Sequence, residues 1–258
     1  MSQSFYDRKS RDDGRIRLDV LLVRRDLAPT RSQAEQLIEF GFVAVDGKIV
    51  MQPGKPVPTD AKIRLIRKNA YVSRAGMKLE SVAQKLHLKL QGKIVLDVGS
   101  STGGFTDYSL QHGAKKVIAV DVGTNQMHPK LRDDPRVSLH EQTDIRDFDI
   151  TGAYMKKLLE NGIDIIVIDV SFISLRNILP TLNKFKSIQT VIVAMCKPQF
   201  EAGRAQISKG VVKNNSIRRD ILQDFELWLS DNKFVILDKA DSEVTGEKGN
   251  VERFYLLK

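Results

Sequence analysis

The sequence predicts an α/β chain in two parts. A small N-terminal α+β unit precedes a larger, mostly parallel sheet of seven strands whose last strand is antiparallel. Three observations carry the prediction. Beyond residue 70, seven short β-rich runs are mostly separated by helical segments or loops, the pattern of a parallel sheet covered on both faces. The last run, "VERFYLLK", follows "NKFVILDKAD" across a glycine-containing loop with no helix between, so these two pair antiparallel. Before residue 70 the order is helix, helix, hairpin.

Residues 1–15 are polar and charged and read as a disordered tail. "RLDVLLVRRDL" sets Leu18, Leu21 and Leu22 at helical spacing, with arginines on the other face. "TRSQAEQLIEFG" is a second helix, with Thr30 as N-cap and Gly41 as C-cap. "FVAVDGKIV" is a hairpin about Asp46-Gly47, and the proline-rich "PGKPVPTDAKIRLI" leads into one more strand. These elements occupy 16–67, with 68–74 as a linker and 75–258 as the sheet domain. In the latter the strands are "GKIVLDVG", "KKVIAVDV", "RVSLHE", "GIDIIVIDVSF", "QTVIVAMCK", "NKFVILDKAD" and "VERFYLLK". Helical segments or loops are expected at 105–112, 152–160, 174–184 and 216–230.

The charge balance is +9, which favours an anionic partner. Residues 1–70 hold 14 Lys and Arg against 9 Asp and Glu, a net of +5, so the shorter part is the more basic per residue. Cys196 is the only cysteine, which excludes an intrachain disulfide and fits a reducing cytoplasm. The polar N-terminus carries no signal-peptide pattern, and the longest apolar runs are too short to span a bilayer. His87, His112, His128 and His140 show no metal-ligand spacing, so no metal is expected.

The stretch "VLDVGSSTGGF" reads strand, acid, glycine, turn, Gly-Gly, helix. Its G-x-x-x-G-G spacing is not the dinucleotide fingerprint, and a pyrophosphate would not tolerate Asp97 before the first glycine. A ligand with a positively charged amino-acid end would favour it. Asp121 ends the next strand 22 residues after Gly99, where an acid holds ribose hydroxyls. Together these suit S-adenosylmethionine, bound by Asp97, Gly99, Ser101, Gly103, Gly104, Phe105, Thr106, Asp121 and Val122. Asp144, after the third strand, is placed at the adenine amino group, and Asp169 at the rim. The competing reading is that the glycines only let the helix pack against the strand.

These residues resemble class I methyltransferases of Rossmann-like fold, and more closely the FtsJ-like ribose 2′-O-methyltransferases. Within them, "YVSRAGMKLE", "DVGSSTGGFTD", "IDVSFISL", "KPQFEAGR", "KGVVKN" and "GNVERFYLL" resemble the TlyA, or hemolysin A, family of ribosomal RNA methyltransferases, over nearly everything from residue 16 onward. "HEQTDIRDF" departs from the Arg-Thr-Asn expected around the third strand. The segment from Arg17 to Val50 resembles the S-four RNA-binding domain, which implies RNA contacts by Arg17, Arg24, Arg25, Arg31, Ser32 and Lys48, with Arg74 beyond it. The resemblance implies a Lys-Asp-Lys-Glu tetrad on Lys78, Asp169, Lys197 and Glu252, with Lys197 as general base and ribosomal subunits as partner.

The chemistry accounts for the residue types. A ribose hydroxyl attacks poorly until its proton is removed, and the donor is a sulfonium, so orientation and a base supply what the reaction needs. Each residue also has a plainer reading. Lys78 could be a solvated helix residue, Asp169 a helix cap, and Glu252 an edge-strand charge that blocks aggregation. Cys196 lacks a partnered histidine. Three further functions compete: a non-catalytic RNA-binding or assembly factor, a membrane-active hemolysin, and a base N-methyltransferase. The last often carries a D/N-P-P-Y-like stretch where this chain has "DVSF".

Overall fold

A computed structural model describes residues 14–39, 41–66, 71–149, 162–212, 214–246 and 249–258. The chain divides into two compact units, residues 1–70 and 71–258. Residues 71–74, assigned from sequence to the linker, belong to the second unit: the Tyr71 ring is buried in its core and Val72 N donates to Asp107 at 2.9 Å. The expected tail up to residue 13, residues 68–70 of the linker and the helical segment at 152–160 lie outside the described residues.

In the first unit, β1 (Arg15–Arg17) leads into α1 (Leu18–Arg24) and α2 (Arg31–Glu39). Leu18, Leu21 and Leu22 of α1 and Ala34 and Ile38 of α2 are buried, as their spacing predicts. Thr30 Oγ1 accepts from Gln33 N at 3.3 Å, and Gly41 ends the helix at φ +71°. The strands β2 (Val43–Val45) and β3 (Lys48–Ile49) form the hairpin, with both Asp46 and Gly47 at positive φ, as a two-residue primed turn requires. The proline-rich segment is itself a strand, β4 (Pro56–Pro58), paired with β1. Then β5 (Ile63–Leu65) joins the other side of β2. Prolines are tolerated in β4 because its sheet has only two strands.

The second unit begins with α3 (Arg74–Ala83). It continues through β6 (Ile94–Val98), α4 (Gly104–Gln111), β7 (Lys116–Val120), α5 (Pro129–Arg132), β8 (Val137–His140) and β9 (Ile165–Ile168). Next come β10 (Val191–Cys196), α6 (Pro198–Glu201), a small hairpin of β11 (Ile207–Ser208) and β12 (Val211–Val212), α7 (Asn215–Asp231), β13 (Ile236–Asp241) and β14 (Arg253–Leu257). The seven-stranded sheet runs β13-β14-β10-β9-β6-β7-β8, and β14 is antiparallel to both neighbours. Alternation along each strand builds two cores. Leu96, Ile118, Ile166 and Ile192 face α7, while Val95, Val117, Val167 and Val193 face α3 and α4. The segment at 174–184, expected to be helical or a loop, folds as two 3₁₀ stretches, Leu175–Asn177 and Leu179–Phe185. Pro180 lacks the N–H that an α-helical ladder would use.

Candidate active site

Strand order reverses at β6: β7 and β8 lie to one side of it, and the chain then crosses to β9 on the other. Ligands of open α/β sheets collect at the carboxyl ends of such a pair. Here those ends carry Asp97 and Gly99 from β6 and Asp169 after β9. Gly99 has φ +81°, and a Cβ on it would lie 2.6 Å from the Asp169 carbonyl, so only glycine allows the two chain segments to approach.

A cavity of about 510 Å³ opens at this rim. Of the residues expected to hold a cofactor, Gly99, Ser101, Asp121, Val122, Asp144 and Asp169 line it. Asp121 accepts from Ser101 N at 2.8 Å and from Gly123 N at 2.6 Å, which fixes its carboxylate and leaves lone pairs for a ligand. Val122 is an exposed apolar cover on one wall. Both oxygens of Asp144 are engaged by its neighbour Arg146, which holds its carboxyl below the usual range. Arg146 also lines the cavity, beside the acid that sequence reasoning singled out alone.

Asp97, Gly103, Gly104, Phe105 and Thr106 are buried behind that wall. A Cβ on Gly104 would stand 2.7 Å from Ala75, and one on Gly103 would stand 2.6 Å from Met127 Sδ. A side chain on either glycine would strike the packing at the α4 start, whereas Gly99 lines the cavity. Asp97 is the exception among the buried residues. Its Oδ2 accepts from Thr106 Oγ1 at 2.6 Å, and its Oδ1 has no partner. Burial first, then the nearby charges of Asp169 and Asp121, push its carboxyl up to about 7. An orphaned, buried carboxylate oxygen next to an open cavity fits a cationic group of a ligand.

A second cavity of about 560 Å³ is lined by Lys78, Lys197 and Glu252, with Gln199 and Asn250. It shares Ser171 and Phe172 with the first. Lys78, on α3, donates to Glu252 at 2.9 Å. Lys197, directly after β10, lies 2.6 Å from Asp169 Oδ1 and donates to Ser171 Oγ at 2.7 Å. The four residues thus form two ion pairs between segments far apart in sequence. Lys78 is only 12 % exposed, so it is no solvated helix residue. Glu252 is buried at the start of β14, an interior strand, which overturns its reading as an edge charge. Gly246 packs beside it: a Cβ there would lie 2.6 Å from Glu252 Oε1, so the carboxylate would have to shift. Phe172, 92 % exposed and at φ +64°, stands at the junction of the two cavities. Its only sequence signal is an aromatic ring three residues after a strand-end acid.

The arginines of the first unit are less uniform than the sequence suggests. Asp19 is fully buried and accepts from Arg17 at 2.7 Å and from Arg31 at 3.0 Å. Burial would raise this carboxyl, but the two guanidinium groups hold it at about 2. Arg17 and Arg31 stay half exposed, so they are fixed in place and still presented to solvent. Arg25 instead donates to the Ala61 and Thr59 carbonyls, a structural clasp. Arg24 and Lys48 are exposed, Ser32 lies in α2, and Arg74 donates to the Thr245 carbonyl at 2.7 Å in the second unit. Among the described residues there is no cluster suited to a metal ion and no helix long and apolar enough to cross a membrane.

Known proteins resemble this chain along nearly its whole length. YqxC of Bacillus subtilis, which carries the label of an rRNA methyltransferase, is 40 % identical over 92 % of this chain and 83 % of its own. The 16S/23S rRNA (cytidine-2′-O)-methyltransferase TlyA of Mycobacterium tuberculosis is 35 % identical over 95 % of this chain and 90 % of its own. A solved structure from Streptococcus thermophilus that carries the hemolysin label covers 95 % of this chain and 88 % of its own, with a TM-score of 0.69 and 39 % identity. The FtsJ-like methyltransferase family matches residues 71–258, the whole unit that holds both cavities, and the S4 domain matches residues 16–63. With the glycine turn at the switch point and the paired lysines beside it, the chain belongs to the FtsJ-like methyltransferase family and carries an S4 domain before the methyltransferase domain.

Proposed function

We propose that the chain methylates a ribose 2′-hydroxyl of ribosomal RNA, with Lys197 as general base. S-adenosylmethionine is the methyl donor of the family and supplies an electrophilic methyl on a sulfonium. The observation that carries the reading is the junction itself: an acid-rimmed cavity and a lysine-lined cavity share Ser171 and Phe172. Asp97 would meet the amino end of the donor, Asp121 its ribose, and Val122 with the Asp144–Arg146 pair its adenine. Lys78 and Glu252 would orient the acceptor ribose. Lys197 would take its proton, a role usually worth about 10²–10⁴ in rate.

The relative named TlyA is a 16S/23S rRNA (cytidine-2′-O)-methyltransferase, which supports ribosomal subunits as the substrate to test; a cytoplasmic place of action would go with that substrate. The S4 domain would anchor the RNA through Arg17, Arg24, Arg31 and Lys48. Transfer from labelled cofactor to subunits purified from cells lacking this chain's gene, followed by mass-spectrometric mapping, tests the proposal. A 2′-O-methylated nucleotide is the expected product. Methylation confined to a base would favour the N-methyltransferase reading, and no transfer to either subunit would favour an assembly factor.

A further inference from the structure

Ser171 is the one polar side chain among the described residues that both lines the two cavities and receives a hydrogen bond from Lys197. It follows Val170 just past the end of β9, two residues beyond Asp169, so one short segment sets a carboxylate and a hydroxyl against the same lysine: Ser171 Oγ accepts its hydrogen bond, while the Asp169 carboxylate is an ion-pair contact whose Oδ1 takes no hydrogen bond among the described residues. Lys197 Nζ lies 2.6 Å from Asp169 Oδ1 and 2.7 Å from Ser171 Oγ. The Lys197 side chain is 11 % exposed.

A neutral amine carries two N–H bonds and one lone pair, disposed tetrahedrally about nitrogen. A hydroxyl oxygen at a fixed position can occupy one N–H bond, and the lone pair is then excluded from that direction. With the Asp169 contact alone, which holds no N–H, the amine could still rotate about Cε–Nζ and place an N–H where the lone pair is needed. We propose that Ser171 is a positioning residue for Lys197: its hydroxyl oxygen takes an N–H of the amine and so turns the lone pair toward the cavity that receives the acceptor hydroxyl. The acceptor's proton then passes to Lys197 as the oxygen–methyl bond forms and the sulfur–methyl bond breaks. Lys197 leaves the step as an ammonium and returns its proton to solvent. The inference rests on the reading of Lys197 as base.

Four variants test it: Ser171→Ala, Ser171→Thr, Lys197→Arg, and Lys197→Arg combined with Ser171→Ala. Single-turnover methylation uses ribosomal subunits from cells lacking this chain's gene, and calorimetry gives the cofactor Kd. Ser171→Ala should lower the rate about 3- to 10-fold, from the loss of one hydrogen bond and the access to three staggered amine rotamers. The RNA concentration for half-maximal rate and the cofactor Kd should stay unchanged, and Ser171→Thr should restore the rate. In the Lys197→Arg background, Ser171→Ala should cost nothing further. Independently of turnover, ¹³C relaxation of the Lys197 Cε in protein labelled at lysine ε-carbon should show greater mobility in Ser171→Ala and not in Ser171→Thr.

A wild-type rate or unchanged Lys197 mobility in Ser171→Ala overturns the inference. So does an equal loss in the arginine background, or a cofactor Kd that weakens as much as the rate. A Lys197→Arg variant within a few-fold of wild type removes the base reading itself. A severe Lys197→Arg loss beside an unaffected Ser171→Ala removes only the role of Ser171.

Discussion

Asp97→Asn asks whether the buried acid of the glycine turn serves the cofactor or only the fold. In the free protein the Asp97 carboxyl is pushed to about 7 from an ordinary 3.8, because it is buried with one oxygen unpartnered and lies near Asp169 and Asp121. The change corresponds to about 4 kcal/mol against ionisation. The folded state therefore binds more protons than the unfolded state between about pH 4 and 7, so this group's contribution to stability falls as pH rises through that window. Asparagine removes the titration and should flatten the slope.

A ligand ammonium reverses the preference. It favours the ionised carboxylate, so binding below about pH 7 should expel the Asp97 proton, and affinity should rise toward neutral pH. Calorimetry at pH 6 in two buffers of different ionisation enthalpy measures this directly. The wild type should release most of one proton on binding S-adenosylmethionine, and Asp97→Asn should release none. At pH 7 the variant should bind about 10- to 100-fold more weakly, as expected for loss of a charge-assisted hydrogen bond. Equal proton release and equal Kd in the two proteins would refute the assignment and leave Asp97 as a partner of Thr106 alone.

Other expected outcomes follow from the same geometry. Lys197→Arg keeps the charge but cannot act as base, so methylation should fall about 10²–10⁴-fold with cofactor Kd unchanged; a few-fold loss would move Lys197 to RNA contact. Gly99→Ala forces a Cβ to 2.6 Å from the Asp169 carbonyl at positive φ, and should lower the melting temperature and weaken cofactor binding together. Gly103→Val should lower the melting temperature by displacing Met127 and Leu131, with any loss of cofactor affinity secondary to that. If both are phosphate contacts, replacing Arg24 and Lys48 by alanine should reduce the salt slope of RNA binding by about 0.7–0.9 for each; an unchanged slope would place the anchor elsewhere.

The seven strands and their order of appearance could be read from the sequence because parallel strands buried on both faces leave dense apolar runs, such as "IDIIVID". The antiparallel end was legible because no helix intervenes between β13 and β14. The 3₁₀ geometry of residues 179–185 was not, since apolar spacing alone does not separate it from an α-helix. Asp97, Asp121 and Asp169 could be chosen because each ends a parallel strand. Ser171 could not, because a serine in a loop carries no signal until Lys197 is brought beside it from another strand. Arg25 illustrates the opposite error: a basic residue in a basic unit is counted as an RNA contact until its guanidinium is found on the Ala61 and Thr59 carbonyls.

The three strand-end acids also suit a donor that carries two cationic groups, an ammonium and a sulfonium. Three carboxylates converging on a switch point repel one another, and each is balanced differently. Asp169 has the Lys197 side chain 2.6 Å away, and Asp121 has two backbone N–H groups. Asp97 has only Thr106, through its hydroxyl and backbone, and is the one that burial, and then its acidic neighbours, drive toward the protonated state. A ligand bearing one cation would relieve the Asp97 oxygen alone. A donor with an ammonium and a sulfonium brings a second positive charge to the same acidic rim. Once methyl transfer turns the sulfonium into a neutral thioether, that second attraction is lost while the ammonium contact remains. The acids of this rim therefore favour the donor over the spent product, and the margin should shrink when Asp169 is replaced by asparagine. Competition between S-adenosylmethionine and S-adenosylhomocysteine for the wild type and Asp169→Asn measures that margin, and an unchanged ratio would show that the rim charge does not discriminate between them.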